Sequence, residues 1–221
     1  MHRRPIRSRD TRAVRGIARI LALRSITPNQ ISALSVVFAL IGTVLFGASP
    51  HSPAALVGVI VAIQLRLLCN LLDGMIAIEG DKAESSGRFF NEVPDRLADV
   101  LLLVPLGYAV DQDYLGWLIA CLALSTAYLR AFGASLGFGE DFRGPGAKPH
   151  RMAMLTATCA AAALESIWRA PFWSFWLGAV ALILLTSLTL VRRSQHIVRS
   201  LREKPRRSSF QVTSAFIREK E

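Results

Sequence analysis

Residues 70–95 read NLLDGMIAIEGDKAESSGRFFNEVPD, and they bring carboxylates and amides to the border of an apolar run. A carboxylate such as Asp73 is costly inside such a run and persists where it faces a cavity, a partner or an ion. The spacing supplies a partner. Asn70, Asp73 and Ala77 stand three and four residues apart, which puts them on one face of a helix. Gly87, Asn91, Asp95 and Asp99 follow at intervals of four and share a face of the next helix, with Pro94 as a source of a kink among them. A short polar loop joins the two helices, so as antiparallel neighbours they aim both oxygen sets at each other at one end. Gly74, Ala77 and Gly87 leave space there for close backbone approach or for a flat ligand.

Outward from this segment the chain is apolar. Of its 221 residues 52% are hydrophobic, and the mean hydropathy is +0.38. A hydrocarbon core of ~30 Å takes about 20 apolar residues per helix. The runs therefore predict an all-α integral membrane protein, a bundle of about six transmembrane helices over 31–48, 54–78, 89–110, 114–132, 152–168 and 172–191. Thr27 reads as the N-cap of the first, with Pro28 in its first position. Before it, Arg12, Arg15 and Arg19 alternate with Val14, Ile17 and Leu21, which predicts a basic amphipathic helix lying at the membrane interface over 1–27. The bundle, 28–191, is the expected catalytic domain, and 192–221 form a basic tail.

The net charge of +10 would suggest nucleic acid in a soluble chain. Beside membrane spans it marks the cytoplasmic ends, and no nucleic-acid partner is expected. Basic residues crowd the N-terminal segment, the fourth connection and the tail, whereas the first and third connections carry no Lys or Arg. That asymmetry predicts a multi-pass protein with both termini cytoplasmic. Cys69, Cys121 and Cys159 are far apart in apolar segments and read as buried small hydrophobes, not as a disulfide or zinc framework.

Asp and Asn oxygens are hard ligands that suit Mg²⁺ or Mn²⁺, ions that also bind substrate phosphates. The residues thus point to metal-assisted phosphoryl transfer at the cytoplasmic face of a membrane. The competing reading is a structural cluster in which Asp95 or Asp99 pairs with Arg66, Arg88 or Arg96. A transporter would also account for intramembrane charges, but it predicts polar groups near several span centres, and here they gather at one edge. Arg130, Arg143, Lys148 and Arg151 border the fourth connection and are candidates to hold an acceptor phosphate or a donor diphosphate. Basic residues are equally expected in any cytoplasmic loop. His150 reads as a solvated loop residue.

The same segment resembles the motif of the CDP-alcohol phosphatidyltransferases, D-x2-D-G-x2-A-R-x8-G-x3-D-x3-D, on the second and third of six membrane helices. Asn70, Asp73, Gly74, Ala77, Ile78, Gly87, Asn91 and Asp95 align with it at every spacing, and TPNQIS at 27–32 looks like the family's usual start. The likeness covers 27–191. Asn70 and Asn91 stand where the family has Asp, and Ile78 where it has Arg, so the chain resembles an Asn-containing variant. Such enzymes displace CMP from a CDP-linked lipid, usually CDP-diacylglycerol, by attack of a small alcohol's hydroxyl. The resemblance implies a homodimer in a bacterial inner membrane. It implies Asp73 as a metal ligand helped by Asn70 and Asn91, and Asp95 as general base or further ligand. Gly74, Ala77 and Gly87 would line the cytidine nucleotide, with Asp99 as a supporting carboxylate one turn deeper. The loss of two carboxylates leaves one or two Mg²⁺ or Mn²⁺ ions open. A catalytically inactive relative serving lipid binding or assembly is the alternative.

Overall fold

The computed structural model describes residue 16 and residues 27–48, 50–79 and 87–203. The expected N-terminal amphipathic helix, the loop at 80–86 and the end of the basic tail lie outside the described residues. Among the described residues six helices follow one another: α1 Pro28–Ala48, α2 Pro53–Glu79, α3 Gly87–Tyr108, α4 Asp113–Ser135, α5 Lys148–Ile167 and α6 Trp173–Glu203. Among the described residues there is no strand. The start of α1 is fixed locally. The Gln30 N–H donates to Thr27 Oγ1 at 3.3 Å while the Thr27 N–H donates to Gln30 Oε1 at 3.0 Å, a reciprocal cap ahead of a proline that needs no donor.

The main packing contacts run from α1 to α2, α5, α6, α4 and α3, and from α3 back to α1, so the helices close a ring. Small residues let backbones approach inside it. At the α3–α4 crossing, a Cβ on Gly116 would stand 2.1 Å from the Val104 carbonyl oxygen, so only glycine fits. One half of the interior is apolar, with Phe46, Leu56, Leu102, Leu106 and Phe175 buried together. Large apolar side chains also cover the outside, among them Val44, Val61, Leu177 and Leu184. That distribution suits a lipid solvent.

Among the described residues four helical segments are long and apolar enough to cross a membrane: α1, Pro53–Ile76 of α2, α4 and α6. The other two helices, α3 and α5, bring Asp95, Arg96 and Asp99, and Lys148 and Arg151, to the interior, where Arg66 and Asp73 of α2 join them. Three expectations are corrected. Helix α6 continues past 191 to Glu203, because Arg193 is buried and donates from Nη1 to the Thr126 carbonyl at 2.7 Å and from Nε to the Arg143 carbonyl at 3.2 Å. Helix α5 starts at Lys148, four residues before the apolar run does. Cys121 is exposed on the outer face of α4, whereas Cys69 and Cys159 are buried. Pro94 and Pro105 lie inside α3 without ending it.

Candidate active site

Two buried carboxylates meet where α1, α2, α3 and α5 converge. Asp73 on α2 accepts a hydrogen bond from Ser32 Oγ on α1 at 2.6 Å. One turn earlier, Asn70 donates from Nδ2 to Asp95 Oδ1 on α3 at 2.8 Å. The other oxygen of Asp95 accepts from Lys148 Nζ at the first position of α5, and Arg96 Nη2 lies 3.7 Å from that oxygen. Asp73 is within electrostatic reach of both Asp95 and Lys148. Side chains from the spaced faces of α2 and α3 therefore reach each other, but the two helices are not the packed neighbours expected, because α1 packs against both and stands between them in the ring.

One turn deeper, Asp99 is clamped between two arginines. Arg66 Nη2 on α2 reaches Asp99 Oδ1 at 2.7 Å, and Arg151 Nη2 on α5 reaches Oδ2 at 2.6 Å. Arg66 also donates to the Asp95 carbonyl at 3.2 Å, and Arg151 to the Gly146 carbonyl at 2.7 Å. All three side chains are buried, and charges in such a place require this pairing. For Asp99 the structural pairing with Arg66 is thus what the fold contains. Asp95 stands 3.7 Å from Arg66 Nη2 and pairs closely with Lys148 instead.

The remaining sequence candidates are distributed unevenly. Asn91 is exposed on α3. Gly74 and Gly87 are half-buried, and a Cβ on Gly87 would meet nothing within 4 Å, so space is open there. The side chain of Ala77 lies outside the described residues. Arg130 is held away from the carboxylates by Glu92, at 2.6 and 2.5 Å, and by Glu140 at 2.8 Å, with the Phe142 ring beneath it at 5.3 Å. Arg143 is exposed and folds back on Asp141 at 3.0 Å. Burial alone would raise the Asp141 pKa, but the hydrogen bonds and charge of Arg143 outweigh it and lower the pKa below the ordinary carboxylate value. Of the four basic residues, Lys148 and Arg151 reach the acidic cluster.

Lys148 is delivered there by a glycine turn. Gly144 has φ 130°, which favours glycine, and a Cβ on Gly146 would stand 2.5 Å from the Thr186 Cα of α6. The Gly146 N–H donates to Thr189 Oγ1 at 2.7 Å. The turn is thereby fastened to α6 just before α5 begins. Ser32 and Arg193 also belong to this polar interior and were not foreseen as such. Arg193 does carry a readable signal: Thr186, Thr189, Arg193 and Ile197 recur every three or four residues along α6 and form its buried stripe.

The fold has a counterpart among solved structures. It is similar to that of a phosphatidylinositol phosphate synthase. PgsA1 of Mycobacterium tuberculosis with CDP-DAG bound superposes with a TM-score of 0.71 at 17% identity, over 85% of this chain and 94% of that one. The same protein in complex with manganese and citrate gives 0.70 at 19% identity, over 83% and 88%, and its apo form 0.66 at 21%, over 83% and 94%. At these identities the likeness is one of fold. No protein-family model matches the sequence, and no curated protein matches it at a significant level.

The donor set fits a divalent ion on the Asp73 side. Among the described residues no basic side chain pairs with Asp73, and its neighbours Asn70 and Ser32 are neutral. Hard oxygens of that kind suit Mg²⁺ or Mn²⁺. Among the described residues, however, no three His, Cys, Asp or Glu side chains gather as a ready cage.

Proposed function

We propose that the protein is a multi-pass membrane enzyme that transfers a phosphatidyl group from a CDP-linked lipid, in the first instance CDP-diacylglycerol, to the hydroxyl of a small alcohol and releases CMP. One observation carries this reading. Asp73, Asp95 and Asn70, from the two helices with the motif spacing, converge at one end of a fold like that in which PgsA1 has CDP-DAG bound.

In the proposed reaction the alcohol oxygen attacks the phosphorus that bears the lipid. A new O–P bond forms, the P–O bond to CMP breaks, and Asp95 takes the hydroxyl proton, directly or through one water. Asp73, with the amide oxygens of Asn70 and Asn91, would hold Mg²⁺ or Mn²⁺, which when bound offsets the diphosphate charge. Gly74, Ala77 and Gly87 form the bed for the nucleotide. Lys148 sits beside the reacting groups, while Arg151 acts through Asp99, fixing the helix turn that carries Asp95. Arg130 and Arg143 are assigned to phosphate contacts at the rim. All six helices cross the membrane in this reading, with both termini and the site cytoplasmic, segment 1–27 at the interface and the basic tail beginning after α6. The setting is a bacterial inner membrane and the assembly a homodimer.

The test is CMP release from CDP-diacylglycerol by the purified protein with Mg²⁺ or Mn²⁺ and a panel of alcohols, phosphorylated ones included. Asp73→Asn and Asp95→Asn are each expected to lower it by about 10²–10⁴-fold, the usual worth of such a group. No release with any alcohol, together with no divalent-dependent binding of the lipid, overturns the proposal. A second reading, an inactive lipid-binding or assembly relative, is favoured by the donors that occupy both oxygens of Asp95. It predicts binding of the CDP-lipid without CMP release.

A further inference from the structure

Both oxygens of Asp95 are met by the protein's own donors, the Asn70 amide on one and the Lys148 ammonium on the other. The pair is largely enclosed: the Lys148 and Asp95 side chains are 22% and 10% exposed. We propose that the Lys148 ammonium takes the place of a second divalent cation at Asp95, so that the site holds a single Mg²⁺ or Mn²⁺, at Asp73. The proposal rests on the transferase reading of the same site and specifies its metal content.

Three arguments converge. The first is geometric. An ion ligated by Asp95 has to share an oxygen with one of these donors or displace it, and beside it the backbone of Lys148 is fixed. Its helix begins at a turn fastened to α6 by Gly144 and Gly146, and Arg151, one turn on, is locked to Asp99. The second is chemical. Asn70 presents its nitrogen to Asp95, the wrong end for sharing a cation with it. The third is charge. In the motif that the chain resembles, four carboxylates balance two divalent ions. Here Asp73, Asp95 and Lys148 together carry one negative charge, the clamp of Asp99, Arg66 and Arg151 one positive charge, and Arg96, 3.7 Å from Asp95, adds another positive charge. One divalent ion brings the trio to plus one, which suits a diphosphate. Two would bring it to plus three beside an already positive clamp, an arrangement that self-repulsion opposes in a partly desolvated site.

The experiment counts metal independently of turnover. Purified full-length protein is loaded with Mn²⁺ in the presence of CDP-diacylglycerol, and bound manganese is measured per chain together with its paramagnetic resonance spectrum. One ion per chain, with the six-line signal of an isolated centre, is expected. Two ions with a spin-coupled spectrum, or none, overturn the proposal. In the Asn70→Asp, Asn91→Asp, Lys148→Met variant the ratio is expected to rise from one to two and the spectrum to become coupled. A ratio that stays at one there overturns it as well. Asn91→Asp alone restores a carboxylate but leaves Lys148 in place, so the count is expected to remain at one; a rise to two in that variant overturns the role of the lysine. CMP release read in parallel separates the two ideas. Two manganese ions with release remove the lysine assignment only, whereas one ion with no release from any alcohol removes the transferase reading and supports the metal count.

Discussion

At one end of the bundle Phe46, Leu102, Leu106 and Phe175 fill the ring by shape, and Phe46 and Phe175 meet with ring centroids 5.7 Å apart. At the other end Asp95 and Asp99 meet Lys148, Arg66 and Arg151, and Asp73 meets Ser32, each through a particular atom. Apolar side chains leaving the interior of a membrane bundle find lipid, not water, so the first end gains mainly from close packing. It should tolerate any swap that conserves volume. The second end has no such latitude, because removing one charge strands another. The apolar end sets the frame, and the charged end sets which atoms face which.

The largest expected effect attacks the charged end. Asp99→Asn leaves Arg66 and Arg151 without their shared counter-ion, and breaking such a buried pair costs about 3–5 kcal/mol. Thermal unfolding in detergent measures it, and a loss below about 1 kcal/mol would mean that the cluster is far wetter than its burial implies. The sharper form is the triple replacement Asp99→Leu, Arg66→Met, Arg151→Met. Apolar substitution of a whole buried cluster is often neutral or stabilising, so stability should return while CMP release does not.

Leu106→Ala probes the apolar end and should cost about 2–5 kcal/mol, depending on how far the cavity collapses. Leu106→Met should cost less than about 1.5 kcal/mol. Both should leave metal binding unchanged, which is where the two ends part. If Leu106→Met were as damaging as Leu106→Ala, shape and not volume would govern the apolar end as well. Gly116→Ala falls below Leu106→Ala, at about 1–3 kcal/mol from overpacking, because its Cβ would strike the Val104 carbonyl and push α4 off α3.

The two ends also differ in how far they can be read from sequence. Period-four spacing at Gly87, Asn91, Asp95 and Asp99, and three-and-four spacing at Asn70 and Asp73, were enough to show which faces of α2 and α3 carry the polar set, because helix periodicity is a local property. The helix start at Thr27 was legible for the same reason. That α1 packs against both helices, and that the two faces reach each other only through long side chains, stayed hidden. Lys148 facing Asp95, and Arg151 facing Asp99, were not legible. Those pairs join residues more than fifty positions apart, and their choice over Arg130 or Arg143 depends on which loop cations find nearer acids, Glu92 and Asp141. Ser32 was missed because a lone serine in an apolar run carries no signal until α1 is laid beside Asp73. The end of α6 was misjudged because its basic residues resemble a tail, although Arg193 continues the buried stripe.

The smallest expected effect lies between the two ends and tests whether the frame also relies on single hydrogen bonds. Pro105 has no N–H, so the Leu101 carbonyl one turn before it loses its helical donor. Thr43 on α1 supplies one, with Oγ1 2.6 Å from that carbonyl oxygen. A backbone group freed by a membrane-helix proline must be satisfied by a neighbour in this way. Thr43→Val conserves shape and removes the donor, and interhelical hydrogen bonds of this kind are worth about 0.6 kcal/mol on average and at most about 1.7. In a Pro105→Ala background the Leu101 carbonyl regains its own helix donor, so the cost of Thr43→Val should shrink toward zero. The double-mutant cycle isolates that coupling by comparing the four unfolding free energies. An equal cost of Thr43→Val in both backgrounds would mean that the hydroxyl serves only its own helix, through the Ala39 carbonyl at 2.9 Å.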